Sequence, residues 1–295
     1  MPLFGLLRPR SVKAEAPALL PAPAGKLQSW STTEIGDEPI ATVRCIAAIP
    51  GGVALGSDYG LSLWREGHFE RFPWPAGARR EARRVEAMTL HDGQLYVGTS
   101  QNIFMWDFKN PVRWTRHGRD EEDGWDDICS LHSANGTLYQ GFRTKFYGAE
   151  GPADVLAMTT DPNGVTWLGT REGELWRLGD NVPFRHFADP RYDGKKKGRP
   201  IRHLAWAHGA LWVAAQEQLH RWDGHHWSSA RPEPTFLLTD LTGKLWGLGE
   251  GRLLQMEGGW LRPVNLPVER PWSLCATADS LWIGGRERVW RLQFV

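Results

Sequence analysis

Leu281-Trp282-Ile283-Gly284 is the last of seven related tetrads spread along the chain. The earlier ones are Val53-Ala54-Leu55-Gly56, Leu95-Tyr96-Val97-Gly98, Leu138-Tyr139-Gln140-Gly141, Thr166-Trp167-Leu168-Gly169, Leu211-Trp212-Val213-Ala214 and Leu245-Trp246-Gly247-Leu248. Their fourth positions fall at 56, 98, 141, 169, 214, 248 and 284, a mean spacing of about 38 residues, which is a propeller period. A repeat that fills most of a 295-residue chain argues for one domain built radially. The expected fold is an all-β, seven-bladed β-propeller with four-stranded blades.

Each unit around a tetrad has the same grammar. A first strand reads apolar, any, small, apolar, as in Val43-Arg44-Cys45-Ile46, Val85-Glu86-Ala87-Met88, Ile128-Cys129-Ser130-Leu131, Val155-Leu156-Ala157-Met158 and Ile201-Arg202-His203-Leu204. The small residue is expected where strands crowd the axis. A turn carrying Gly, Asp or Asn follows, such as His91-Asp92-Gly93 or Ala134-Asn135-Gly136, because a tight hairpin needs positive φ. The tetrad is the second strand. Third strands follow, among them Leu61-Ser62-Leu63-Trp64, Ile103-Phe104-Met105-Trp106 and Val289-Trp290-Arg291-Leu292, and fourth strands carry Phe69, Trp114, Phe187, Trp227 and Trp260.

Two places break the rhythm. Blade seven has only three strands of its own before Val295, and Leu27-Gln28-Ser29-Trp30-Ser31-Thr32 alternates like a strand and carries an aromatic. This N-terminal strand is expected to complete the last blade, close the ring and remove a sheet edge. In blade three only 28 positions separate Gly141 from Gly169. Arg143 to Tyr147 is expected as its third strand, with no room for a fourth.

Residues 1–25 are expected to be a flexible, Ala- and Pro-rich leader, and 26–295 the propeller domain. The apolar patch at Leu3 to Leu7 is too short for a secretory signal, and no run of about 18 apolar residues exists to span a membrane. A cytoplasmic location is therefore expected. With 35 basic and 34 acidic residues, no global field draws the protein to nucleic acid or anionic lipid. Cys45, Cys129 and Cys275 lie in strands of different blades, without a disulfide or zinc spacing, and are expected as buried thiols.

The phrase running from the tetrad through a turn to a leucine and an aromatic resembles the repeat of two-component-regulator-type propellers. Gly56 to Phe69 and Trp167 to Trp176 match best, and the likeness extends over about residues 26 to 295. The resemblance implies a sensory or binding module. Stand-alone cytoplasmic propellers of this kind occur beside AAA-type ATPases and von Willebrand A-domain proteins in bacterial multi-component systems, which implies a partner protein of that sort. It carries over no catalytic residue. Propeller lyases of the virginiamycin B type have similar size and blade grammar, a looser resemblance without a histidine, glutamate and metal arrangement to transfer.

Candidate binding residues come from loops expected on one face of the ring. The second-to-third-strand loops supply Arg143, Lys145, Arg171, Arg286 and Arg288. The connectors between blades carry blocks of charge: Arg79 to Arg84 is basic, Arg119 to Asp127 acidic, and Arg191 to Arg199, with Lys195, Lys196, Lys197 and Arg199, basic again. Trp74, Trp125 and Tyr192 fall in or beside these connectors and are the expected aromatic anchors. Most other tryptophans recur at matching repeat positions and are expected to fill the seams between blades. The acidic run lacks the ligand spacing of an EF-hand, His225-His226 sits in a turn, and His203 is expected toward the channel. No cofactor or metal is expected. The sequence points to a non-enzymatic protein-binding scaffold; a small-ligand or carbohydrate site in the central channel is the alternative, and a lyase or hydrolase follows.

Overall fold

The computed structural model describes residues 20–31, 42–72, 84–100, 102–109, 115–117, 128–187, 198–215, 218–230, 236–239, 242–249 and 251–294. These form seven antiparallel sheets and no helix; six sheets have four strands and one has three. In blade one the order is Val43–Ile49, Gly52–Ser57, Gly60–Arg65 and His68–Arg71, each strand bonded to the next. The tetrads are the second strands throughout; they are almost wholly buried, as in Gln94–Thr99 and Ser280–Gly285, except in blade three, where Leu138 and Gln140 are half-buried. Running apolar on both faces suits a strand that has a blade on either side.

The glycine that ends most tetrads has a packing cause. A Cβ on Gly98 would lie 2.8 Å from Ile128 Cγ2, one on Gly169 2.5 Å from Ile201 Cγ2, and one on Gly284 2.7 Å from Val43 Cγ1. In each case the contact is a β-branched residue of the next blade, at the start of its first strand or, for Ile201, two residues ahead of it. Gly56 meets Val85 and Gly141 meets Val155 in the same way. The motif is thus a socket for the neighbouring blade, and it acts between blades seven and one as it does after each of blades one to four. The small third residue of the first strand stands on the channel wall, as Cys45, Ala87, Ser130 and Ala157 do, and also takes part in this seam. Ser130 Oγ donates to Val155 O at 2.6 Å, and Ser273 Oγ donates to Val43 O at 3.0 Å. Blades five and six end their tetrads in Ala214 and Leu248 instead.

The strand Gly25–Ser31 pairs antiparallel with Arg288–Phe294 along its whole length, with Trp30 opposite Val289. Trp30 lies over the seam, 5.9 Å between ring centroids from Trp282 of blade seven and 4.7 Å from Trp64 of blade one. Ahead of it Leu20, placed in the leader by composition, is buried and makes a parallel bridge to Val264 of blade six. Blade three consists of Ile128–Ala134, Thr137–Phe142 and the two-residue Phe146–Tyr147, so its fourth strand is missing among the described residues. The repeated tryptophans Trp64, Trp106, Trp167, Trp212, Trp246, Trp282 and Trp290 are buried, while Trp176 and Trp222 are half-buried. Trp114 lies outside the described residues, and Phe187 follows immediately on the short strand Arg185–His186.

Candidate binding face at the channel mouth

The first strands line the central channel, and five of them share a defect at the same point. In blade one Val43 faces Ser57 and Cys45 faces Gly56, leaving Arg44 without an opposite number. The same register shift leaves Glu86, Cys129, Leu156 and Trp272 as extra residues in blades two, three, four and seven. A bulge re-aims the side chain of its extra residue. All five line one cavity of about 1330 Å³ in the mouth of the channel, joined from blade five by Arg202. The equivalent of blade six, position 235, lies outside the described residues. The "any" position of the repeat is therefore the one that looks into the channel, and it differs in nearly every blade.

Charge at the mouth is arranged unevenly. Between blades one and two Arg44 and Arg84 alternate with Asp58 and Glu86: Arg44 Nε bonds Asp58, Arg84 Nε bonds Glu86, and Arg44 reaches Glu86 at 3.6 Å. Two cations and two anions cancel there. At blades three and four Arg171 Nε donates to both carboxylate oxygens of Asp154, at 2.9 and 2.8 Å, and its terminal nitrogen stands 3.9 Å from Cys129 Sγ. Burial, with the Asp154 charge second, pushes the Cys129 thiol up to about 11. Burial also raises Cys45, helped by Glu86, and raises Cys275 to about 12. The three thiols are free; Cys275 is buried, whereas Cys45 and Cys129 are only half-buried on the channel wall.

The other side of the mouth carries cations without acids. Arg202, Arg270 and Arg286 are exposed, line the same cavity, and make no side-chain hydrogen bond or ion pair among the described residues. Beside them Trp272 is 56% exposed, the only large aromatic among the described residues left so open. Deeper in, Ile46, Met88, Leu131, Met158, Leu204 and Leu237, one from each of six blades, make an apolar collar. His203 lies on this wall as expected, its ring tilted against Phe236 with centroids 4.3 Å apart; enclosure of the imidazole, then the charge of Arg202, lowers its pKa to about 3.

Of the residues read from the sequence as binding candidates, Arg286 lines the mouth and Arg171 stands beside it, already paired. Arg143 is exposed in the turn before Phe146–Tyr147, and Lys145 Nζ lies 5.6 Å from the Tyr147 ring centroid. Arg288 is exposed opposite Ser31. None of these three lines the cavity. Arg199 is half-buried where its connector returns to blade four, its carbonyl against Gly173. Trp74, Trp125, Tyr192, Lys195, Lys196 and Lys197 lie outside the described residues, as do most of the charged connectors. Sequence reasoning passed over Trp272, Arg202 and Arg270. A signal for Trp272 existed: it is a tryptophan outside the repeated seam positions, at the variable place of a first strand. Among the described residues no group of three or more His, Cys, Asp or Glu side chains could hold a metal ion.

No protein-family model matches the chain, and no curated protein matches it. Solved structures do. The extracellular domain of a chain described as a hybrid two-component system from B. thetaiotaomicron aligns with TM-score 0.71 and 14% identity, over 91% of this chain and 41% of that one. Virginiamycin B lyase from Staphylococcus aureus aligns with TM-score 0.66 and 14% identity, over 92% and 99%. The WD40 propeller domain of Doa1 aligns with TM-score 0.60 and 16% identity, over 87% and 94%. This chain spans about two fifths of the regulator domains it resembles. At such identities the likeness speaks to architecture, and the chain has the propeller fold that two-component regulator domains carry, in line with its repeat.

Proposed function

We propose that the protein is a non-enzymatic, protein-binding propeller that works in a larger bacterial assembly, and that it meets its partner with the face around the channel mouth. The observation that carries this is Trp272, 56% exposed in the same cavity as Arg270 and Arg286, which make no side-chain hydrogen bond or ion pair among the described residues. Tryptophan and arginine are the side chains that most often dominate interface energetics, and an indole left open to water gains by being covered. Charged connectors of the kind read from the sequence steer encounter with a partner of complementary charge. A cytoplasmic setting agrees with three free cysteines, and an AAA-type ATPase or von Willebrand A-domain protein is the kind of partner that the repeat implies.

Affinity capture of the tagged protein from its host, beside the variants Trp272→Ala and Trp125→Ala, tests the reading. A defined protein captured by the wild type and lost with Trp272→Ala, at unchanged melting temperature, supports it. Capture that is indifferent to Trp272 removes the mouth from the interface, and a large loss of stability in Trp125→Ala would assign that residue to the core.

A further inference from the structure

We infer that the mouth of the channel is also a binding site for a small organic anion with an apolar body, of the kind an aliphatic carboxylate represents. This goes beyond the protein-binding reading and does not depend on it.

Charge and polarity in the cavity run in one direction. Asp58 and Glu86, the acids of its lining, are held by Arg44 and Arg84. Arg202, Arg270 and Arg286 remain, brought together from blades five and seven, with no acid beside them among the lining residues. Glu269 and Glu287 adjoin Arg270 and Arg286 in sequence but do not line the cavity. An exposed arginine alone on a surface is ordinary. Three that face one cleft with low-dielectric walls focus a positive field into it and raise the local concentration of anions.

The apolar half of the ligand is fixed by the collar. Below the arginines the wall is aliphatic from six blades, and Met88, Leu131 and Met158 are only half-buried, so their free surface is turned to the channel. Apolar surface of this kind is covered favourably at roughly 25 cal/mol per Å². Trp272 adds a flat ring at the entrance, where the anionic head passes from water to the arginines. At about 1330 Å³ the cavity exceeds the roughly 300–1,000 Å³ of ordinary small-ligand pockets. A simple inorganic anion would leave the collar wet, and a neutral hydrocarbon would leave the arginines without a partner. A molecule with both parts uses both.

The test is isothermal titration of the full chain with sodium decanoate below its micelle concentration. The comparisons are decanol, acetate and decyltrimethylammonium, each lacking one half of the chemistry or reversing the charge. Tryptophan fluorescence follows Trp272 in the wild type and in Trp272→Phe. Saturable binding of decanoate, weakened about tenfold in Arg202→Ala/Arg286→Ala and weakened by added salt, with acetate and the cation inert, is the expected result. Equal binding of decanoate and decyltrimethylammonium, affinity unchanged in the arginine variant, or no saturable binding at all would overturn the inference. The arginine variant removes exposed side chains, so its circular dichroism and melting temperature should match the wild type. Failure here leaves partner capture by the mouth untouched, and failure of capture leaves the anion site untouched.

Discussion

Replacing Gly98 by Ala tests the socket that links each blade to the next. The added methyl would stand 2.8 Å from Ile128 Cγ2, 3.3 Å from Leu131 Cδ1 and 3.4 Å from Ile128 Cδ1. Gly98 has no left-handed backbone that would penalise alanine in its own right, so the cost is steric. Ile128 is 2% exposed and cannot retreat into solvent. Overpacking of this order costs about 2 kcal/mol. Truncating the other partner, Ile128→Ala, removes buried methyl groups and leaves a void, at a cost of about 3 to 4 kcal/mol. The two changes are not independent. In the double variant the alanine at 98 occupies space that Ile128 has vacated, and only Leu131 has to yield by a few tenths of an ångström. The double variant should therefore be less destabilised than the sum of the singles by at least about 1.5 kcal/mol. Urea unfolding followed by tryptophan fluorescence, on the four members of the cycle, measures this coupling. Additivity within about 0.5 kcal/mol, the behaviour of unconnected sites, would refute the socket.

Further expectations concern titration and reactivity. Burial lowers the pKa of His132 to about 4, and burial with Arg202 lowers that of His203 to about 3. Below about pH 6.5 the unfolded chain takes up protons that both folded imidazoles refuse, so stability should fall as the pH drops from 6.5 towards 4. The slope is at most about 1.4 kcal/mol per pH unit for each, and less for His203 where channel water reaches it. Melting temperatures between pH 7 and 5 should show a shallower slope in His132→Gln and His203→Gln than in the wild type. Among the thiols, Cys129 has the least elevated of the three raised pKa values and is half-buried, so iodoacetamide at pH 9 should label it first by mass spectrometry. Asp154→Asn should speed that labelling by removing a raising charge. It should change stability by less than about 1 kcal/mol, because the Arg171 side chain it releases is half-exposed.

Blade count, strand order within a blade and the short third blade were legible in the sequence. The reason is local: a strand buried on both faces must run apolar, a tight hairpin needs a residue that tolerates positive φ, and both requirements leave marks that recur at each blade. The strand Gly25–Ser31 was visible from its alternation and its tryptophan, together with the mere three strands that blade seven has of its own. Even the glycine of the tetrad was plain as a letter. Its reason was not, because Ile128 fills the space beside Gly98 only when two blades are packed together.

The candidate face was legible in part. Arg286 and Arg171 were found because they sit in loops whose place in the ring follows from strand order. Trp272, Arg202 and Arg270 were not. A bulge is one extra residue with no composition of its own, so Pro271-Trp272-Ser273 marks a tryptophan outside the repeated seam positions but not the direction in which its indole turns. Pairing is equally invisible along the chain: Arg44 meets Asp58 and Glu86, while Arg202, Arg270 and Arg286 meet no acid among the described residues. Local periodicity, written into every blade by burial and turn geometry, was enough to determine the fold from the sequence by itself. Which cations keep a partner, and which side chains share the channel, was decided only by tertiary structure, because those contacts join residues from different blades that come together when the sheets stand around one axis.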